Sequence, residues 1–594
     1  MSTTNTETMT QLAARAADRY GDRPALRSKR GEDWADTSFT EVAERVERLA
    51  LGLIDLGIEP GDRVAVLADT RPDWTIACLA IWNAGAVLVT IYPSSSAEEC
   101  EWIAGDSQAT AVICGSAAQL AKIEQVRGAL GTLAHVIVMD QADAPPATIS
   151  LRELTDRARD DQRAELRRRA EAVTATDACM FIYTSGTTGP PKGCVLTHSG
   201  FAAVSAATRQ LGLVRGDDVV YLFLPLAHVF AQIVAIATFE LGGTIAYYGG
   251  DVRKIIAELS EVRPTALPSV PRIFEKLHAA AMGMLAGATD AERGLLDLAI
   301  NVGVEVHQRR QRGEPVDAQM QATYDAADAR LFAGVRQLFG GQVRHAISGA
   351  APIAPEVLRF FYACGVPVLE GYGMTETTGV GTVNTADAMR FGTVGRAIPG
   401  ASVRIADDGE IEVGGDVTFR GYWRNPEAMR DIFTSDGRVR TGDLGELDAD
   451  GYLKITGRKK DIIITAGGKN LAPANLENDL KQCRFISQAI MYGDRRPYPV
   501  ALITLDEEEI GPWATQRGLP ADPGKLAADD QVRDMVQAEL DRANARYAQV
   551  EQIKKFAILG RDLSVESGEL TPSLKVKRMV VYERHAELFD SMYG

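Results

Sequence analysis

Basic side chains are scarce for a chain of this size: 64 lysines and arginines face 80 aspartates and glutamates, a net charge of −16 at pH 7. Duplex affinity rests on basic surface, so this balance argues against a general nucleic-acid binder. Cysteines number seven (Cys78, Cys100, Cys114, Cys179, Cys194, Cys364, Cys483), scattered and without a Cys-x-x-Cys pair. That spacing argues against a disulfide framework or a zinc site and predicts a reducing compartment. No apolar run reaches the length of a membrane span, and residues 1–10 are polar rather than basic-then-apolar, so the expected location is the cytoplasm. The sequence has no internal repeat and no low-complexity tract.

At 594 residues the chain exceeds what one core usually supports, so at least two domains are expected. From 22 to about 140, short β-rich runs alternate with helical ones. Ser38-Phe39-Thr40-Glu41 fits a capping box, and Val42, Val46, Leu49 and Leu53 continue at helical spacing. Residues 64–68 read as a strand, 73–83 as a helix and 87–91 as a strand, which predicts α/β with a largely parallel sheet. Residues 152–172 read as one charged, solvated helix. Residues 219–224 read as a strand, followed by an apolar helix and a further strand ending at Tyr248.

Residues 271–340 read as a long helical block, with a capping box at Thr289-Asp290-Ala291-Glu292 and a stop at Gly340-Gly341. Within it, Arg309, Arg310 and Arg312 either complement the helix dipole or touch lipid headgroups; both readings stay open. Asp450-Gly451 between Leu447 and Ile455 signals a hairpin.

Chemistry concentrates first in Tyr183-Thr184-Ser185-Gly186-Thr187-Thr188-Gly189-Pro190-Pro191-Lys192-Gly193. Glycines, hydroxyls and one cation after an apolar strand end make a candidate triphosphate cradle. It is not a kinase or GTPase P-loop: two prolines separate Gly189 from Lys192, and Gly193 stands where a magnesium-binding hydroxyl belongs. Gly371-Tyr372-Gly373-Met374-Thr375-Glu376 offers two glycines beside a flat ring and one carboxylate suited to a hard cation. Thr441-Gly442-Asp443 lies 15 residues ahead of Arg458, and a carboxylate has the paired acceptors that a vicinal diol needs.

Together these segments resemble the signatures of the adenylate-forming superfamily of acyl-CoA synthetases, luciferases and adenylation domains, most of all its long-chain fatty acid–CoA ligases. The resemblance implies a large N-terminal domain of α/β subdomains over 1–458, with the helical insert 271–340, and a small mobile α+β C-terminal domain over 459–594. It implies that Thr184, Ser185, Gly186, Thr187, Thr188, Gly189 and Lys192 bind the triphosphate of ATP. Tyr372 would stack on adenine above a floor of Gly349, Ala350 and Ala351, with Gly371 and Gly373 around it. Thr375 would bond the α-phosphate, Glu376 would hold Mg²⁺, and Asp443 and Arg458 would hold ribose or phosphate. His228 matches a position beside the acyl carboxylate.

Leu570-Thr571-Pro572-Ser573-Leu574-Lys575-Val576-Lys577-Arg578 resembles the catalytic-lysine segment, with Leu574 where many relatives have glycine. Lys577 remains an alternative, but the spacing to Arg578 favours Lys575. Lys460 falls at the family's hinge, and Lys469 in Gly467-Gly468-Lys469 resembles the loop lining the pantetheine tunnel of CoA. The implied reaction activates a long-chain fatty acid to acyl-AMP with ATP and passes it to CoA. Alternatives are a fatty acyl-AMP ligase serving a carrier protein and a silent binding protein of the same fold. A long alkyl chain needs a long apolar tunnel, and the block 271–340 is its candidate lining. A homodimer and peripheral membrane contact stay open.

Overall fold

Ser38 caps its helix as the sequence predicts: its hydroxyl accepts the Glu41 N–H at 3.2 Å, and the Glu41 carboxylate accepts the Ser38 N–H at 2.7 Å. The helix Phe39–Asp55 then buries Phe39, Val42, Val46, Leu49 and Leu53. These features come from a computed structural model that describes residues 7–140, 145, 148–184, 190–283, 290–466, 469–571 and 575–594, the side chains of 290–293 excepted. The capping box expected at Thr289 lies outside the described residues.

Two large sheets dominate. Among the described residues, one has eight strands and runs from Gly421–Tyr422 through Lys192–Thr197, Ala178–Thr184, Val87–Ile91, Arg63–Leu67, Ala109–Cys114 and His135–Val138 to Ile149–Ser150. Its inner strands are parallel and apolar on both faces, as expected where helices cover both sides. The other has nine strands, with a parallel centre of Val219–Leu222, Ala266–Ser269, His345–Ser348 and Val368–Tyr372. A four-stranded antiparallel sheet contains Val439–Leu447 and Leu453–Arg458, joined through Gly451 at φ +80°. Buried side chains of the associated cores run from Met9 to Leu453. Those from Ile463 to Met592 form separate cores around the three-stranded sheet of Ile486–Tyr492, Val500–Leu505 and Lys555–Ile558.

Some expectations change. The charged stretch at 152–172 is two helices, Leu151–Asp156 and Arg163–Ala172, separated by a 3₁₀ turn at Asp160–Gln162. In 271–340 the helix Asp290–Arg312 carries the three arginines. Arg309 pairs with Glu305 at 2.8 Å, Arg312 with Glu314 at 2.8 Å, and Arg310 lies 5.3 Å from the Tyr324 ring, so each has a partner within its own helical block. Among the described residues no helix is long and apolar enough to cross a membrane.

Candidate active site

The segments singled out in the sequence sit where strands end, and they open onto one cavity of about 2900 Å³. Thr184 and Lys192 are paired across an antiparallel hairpin, so the glycine-rich loop joins two strands rather than opening a helix. A P-loop geometry is therefore absent here. Ser185, Gly186, Thr187, Thr188 and Gly189 lie outside the described residues. Gly193 has a packing reason: a Cβ there would come 2.9 Å from the Tyr183 ring, whose hydroxyl donates to Asp106 at 2.6 Å.

Strand His345–Ser348 delivers Gly349, Ala350 and Ala351 to the cavity, with Ala350 held at φ +69°. A non-glycine residue in that region is strained, and such strain concentrates at functional sites. Strand Val368–Tyr372 delivers Gly371 and Tyr372, and the turn Thr375–Thr377 presents Thr375 and Glu376, both 6% exposed. Gly373 admits no side chain because a Cβ would meet the Gly379 carbonyl and Val380 Cα at 2.5 Å. This chain's own turn, rather than approach to a base alone, thus demands that glycine.

Asp443 follows Gly442, whose φ of +73° turns the chain. Its Oδ2 accepts from the Tyr372 hydroxyl at 2.7 Å, and Arg458 Nε stands 3.2 Å from Oδ1. A carboxylate has about four lone-pair sites, so both oxygens retain acceptor capacity for a diol. Burial raises the Asp443 pKa, and Arg458 opposes the rise. His228 caps the apolar helix Val229–Leu241: its Nδ1 accepts the Phe230 N–H at 3.1 Å. Nε2 must then carry the proton in the neutral ring, and burial followed by Lys575 pulls its pKa down to about 4. At neutral pH His228 is a neutral donor.

Lys575 comes from the other end of the chain. The loop that carries it is closed by Thr571 N–H to Lys575 O at 2.8 Å and Lys575 N–H to Thr571 Oγ1 at 3.0 Å. Arg578 anchors the segment through both its Nη atoms to Glu477, at 2.6 and 2.8 Å. The Lys575 side chain reaches the open cavity, where the crowded walls and then Arg458 lower its pKa while Asp443 and Glu376 raise it. Lys577 also lines the cavity, but its N–H bonds the Glu569 carbonyl at 2.8 Å as the next helix begins, and it is Lys575 whose ammonium feels the charges of Arg458, Asp443 and Glu376.

Lys460, in the exposed turn Lys459–Asp461, lines the cavity; its neighbour Lys459 is tied to Asp408 at 2.6 Å and Glu410 at 3.1 Å. Lys469 does not line it: its backbone pairs with Thr465 beside the strand Asn470–Leu471. Gly467 and Gly468 lie outside the described residues.

Among the described residues none of the cavity's lining comes from 271–340. Its apolar arm is lined by Val204 and Thr208 of the helix His198–Gln210 and by Ile233, Val234 and Ala237 of the helix Val229–Leu241. The helix Val229–Leu241 is buried nearly all round, so periodicity alone could not show which of its faces borders a space.

Two residues escaped the sequence reading. Glu370 precedes Gly371, lines the cavity, and is pushed up to about 8 by burial. Tyr422 donates its hydroxyl to Glu376 Oε1 at 2.6 Å. Adjacency to the Gly371 motif could have flagged Glu370, but nothing local marks Tyr422.

With this geometry in place, comparison with known proteins is informative. The AMP-binding enzyme family model matches residues 13–423, and the AMP-binding enzyme C-terminal domain matches 460–594. The chain is 39% identical over 566 residues to the long-chain-fatty-acid–CoA ligase FadD15 of Mycobacterium bovis, covering 94% of this chain and 93% of that protein. It is 31% identical to the long-chain-fatty-acid–CoA ligase ACSBG2 of Xenopus laevis, covering 99% and 84%. Among solved structures, the adenylation domain of a carboxylate reductase from Mycobacterium chelonae shares the fold at a TM-score of 0.77 and 22% identity, covering 99% of this chain and 91% of that one. A large α/β part followed by a smaller C-terminal one is the architecture of such adenylation domains. The chain belongs to the AMP-binding enzyme family.

Proposed function

We propose that the protein is an AMP-forming long-chain fatty acid–CoA ligase. The fatty acid carboxylate attacks the α-phosphorus of ATP, and the bond to the β-phosphate oxygen breaks to give acyl-adenylate and pyrophosphate. The CoA thiol then loses its proton and attacks the acyl carbon, releasing AMP. The observation that carries this reading is that Lys575, Glu376, Asp443, Arg458 and His228, from distant parts of the chain, line one cavity.

Lys192 and the loop 184–189 hold the leaving pyrophosphate, and Thr375 bonds the α-phosphate. Tyr372 stacks on adenine over Gly349, Ala350 and Ala351, while Asp443 and Arg458 take the ribose. Neutral His228 donates from Nε2 to the acyl carboxylate and orients it without a charge that would weaken the nucleophile. Lys575 places its ammonium between carboxylate and α-phosphate and lowers the cost of bringing two anions together.

Glu376 fits Mg²⁺: it is a nearly buried carboxylate on the cavity wall, its Oε1 held by the Tyr422 hydroxyl. Among the described residues no cluster of three metal-ligating side chains exists, which suits an ion held by one carboxylate plus substrate phosphates. When bound, Mg²⁺ offsets phosphate charge.

Residues 1–458 bind ATP and the acyl chain, and 459–594 form the mobile domain that pivots at Lys460. Lys575 on the cavity wall supports reading this pose as the adenylating one, with rotation exchanging Lys575 for the 467–469 loop. The seven buried, unpaired thiols accord with a reducing cytoplasm. Pyrophosphate exchange across acids of increasing length, followed by thioester formation with free CoA, tests the whole reading. Activity rising toward long acids with CoA thioester as product is expected. Equal turnover of acetate and palmitate contradicts the long-chain assignment, and adenylate that CoA does not accept points to the carrier-protein alternative.

A further inference from the structure

Lys192 begins the strand Lys192–Thr197, and Glu376 lies in the turn Thr375–Thr377, which follows the strand Val368–Tyr372 of the other large sheet. One side chain touches both. The Tyr422 ring lies beside the Lys192 ammonium, 5.4 Å from Nζ to the ring centroid, and its hydroxyl donates to Glu376 Oε1 at 2.6 Å.

The backbone around Tyr422 is fixed on both sides. The two-residue strand Gly421–Tyr422 pairs with Val195 and Cys194. Arg420 N–H bonds the Val195 carbonyl at 2.9 Å, Trp423 N–H bonds the Gly193 carbonyl at 2.7 Å, and Phe419 N–H bonds the Glu376 carbonyl at 2.9 Å. The Trp423 indole donates to the Asp106 carbonyl at 3.0 Å and packs on Phe181 at 4.8 Å between centroids. Gly421, at φ +137°, leaves room for Met429, whose sulfur a Cβ would meet at 2.6 Å. This ladder ties the Tyr422 ring to the hairpin that carries Lys192 and its hydroxyl to the turn that carries Glu376.

The Tyr422 hydroxyl is the donor of this bond and the Glu376 carboxylate the acceptor. Its bond fixes the Glu376 carboxylate with Oε1 occupied. Its ring gives Lys192 a weak, sequence-distant anchor of the cation–π kind.

We propose that Tyr422 is a positioning residue for adenylation, holding Lys192 through its ring and Glu376 through its hydroxyl so that the two grips on the triphosphate keep one geometry. The inference rests on the reading above that Lys192 holds phosphate and Glu376 the metal. It assigns separable jobs to two parts of one side chain: the hydroxyl governs metal affinity and the ring governs ATP affinity.

The test uses the full-length protein with Mn²⁺ as the probe, titrated by electron paramagnetic resonance in the presence of a non-hydrolysable ATP analogue, beside calorimetric binding of the analogue without metal. Tyr422→Phe keeps the ring and loses the hydroxyl; it should weaken Mn²⁺ binding roughly three- to tenfold, the net scale of one ordinary hydrogen bond, and leave metal-free analogue binding unchanged. Tyr422→Leu loses both parts and should weaken both, so that Phe rescues analogue binding relative to Leu. Tyr422→Met replaces Leu if that variant does not fold. Glu376→Gln is the control for the underlying reading: if it leaves Mn²⁺ binding intact, the metal assignment of Glu376 fails. If Glu376→Gln weakens Mn²⁺ but Tyr422→Phe does not, or if Phe and Leu behave alike in both titrations, the proposal for Tyr422 is overturned.

Discussion

Removing Arg272 is expected to separate the two half-reactions, because it loosens the C-terminal part from the pose in which Lys575 faces the cavity. Among the described residues, and apart from the pairs that Lys459 makes at the boundary itself, three ion pairs join the parts: Arg272 with Asp506, Lys276 with Glu508 at 2.8 Å, and Arg546 with Glu356 at 2.9 Å. The last two are exposed, contribute about 0–1 kcal/mol each, and weaken in salt. Losing Arg272 costs more, because it leaves the Asp506 carboxylate, only 10% exposed, without its cation. Arg272 also opposes the burial that raises the pKa of Glu275, with Lys481 of the C-terminal part assisting. Arg272→Ala therefore costs the docked pose about 1–2 kcal/mol, a shift of roughly five- to thirtyfold toward the rotated pose. Asp506 is the wrong partner to change, since its carboxylate also caps the helix Glu507–Gln516 through the Glu508 and Glu509 N–H groups. The assay compares pyrophosphate exchange with thioester formation from pre-made acyl-adenylate and CoA. Exchange should fall while thioester formation holds or rises. Equal loss of both, or no change in either, refutes the reasoning.

Other outcomes follow from the same geometry. Ala237→Phe, which fills the apolar arm of the cavity, should shorten the preferred acid: each methylene that no longer fits forfeits about 0.8 kcal/mol, and an unchanged chain-length profile contradicts the lining. Burial lifts Glu370 from 4.5 to about 8, so its proton is held more tightly in the folded state and stability is lost as pH rises across that window. Glu370→Gln stays neutral throughout, and its Tm advantage over the wild type should grow from pH 5 to pH 9; a flat difference rules this out. Lys460→Pro fixes φ and removes an N–H at the proposed pivot, so it should keep pyrophosphate exchange and lose thioester formation; normal turnover would exclude Lys460 as the hinge.

What could be read from sequence depended on how local the cause was. The capping box at Ser38, the turn at Gly451 and the strand Val87–Ile91 were legible because adjacent residues cause them. The candidate site was legible where its residues are contiguous at a strand end, as in Gly371 to Glu376. The break in 152–172 was not, because charged residues fit a solvated helix and a solvated turn equally well. Tyr422 was hidden because its partners lie 46 residues away at Glu376 and on a strand near 194, and only sheet pairing brings them together. The insert was assigned to the tunnel from its length and its resemblance to relatives. Its first helix, Pro271–Gly283, instead carries the arginine and lysine that dock the C-terminal part, a contact that no periodicity records.

The central claim is that Lys575 acts in adenylation alone and then leaves. Lys575→Ala, assayed separately for pyrophosphate exchange and for conversion of synthetic acyl-adenylate plus CoA to thioester, addresses it most directly. Loss of exchange with the thioester step retained is the expected result, since the Lys575 ammonium on the cavity wall is proposed to serve only the approach of carboxylate to phosphate. Equal loss of both half-reactions would contradict it.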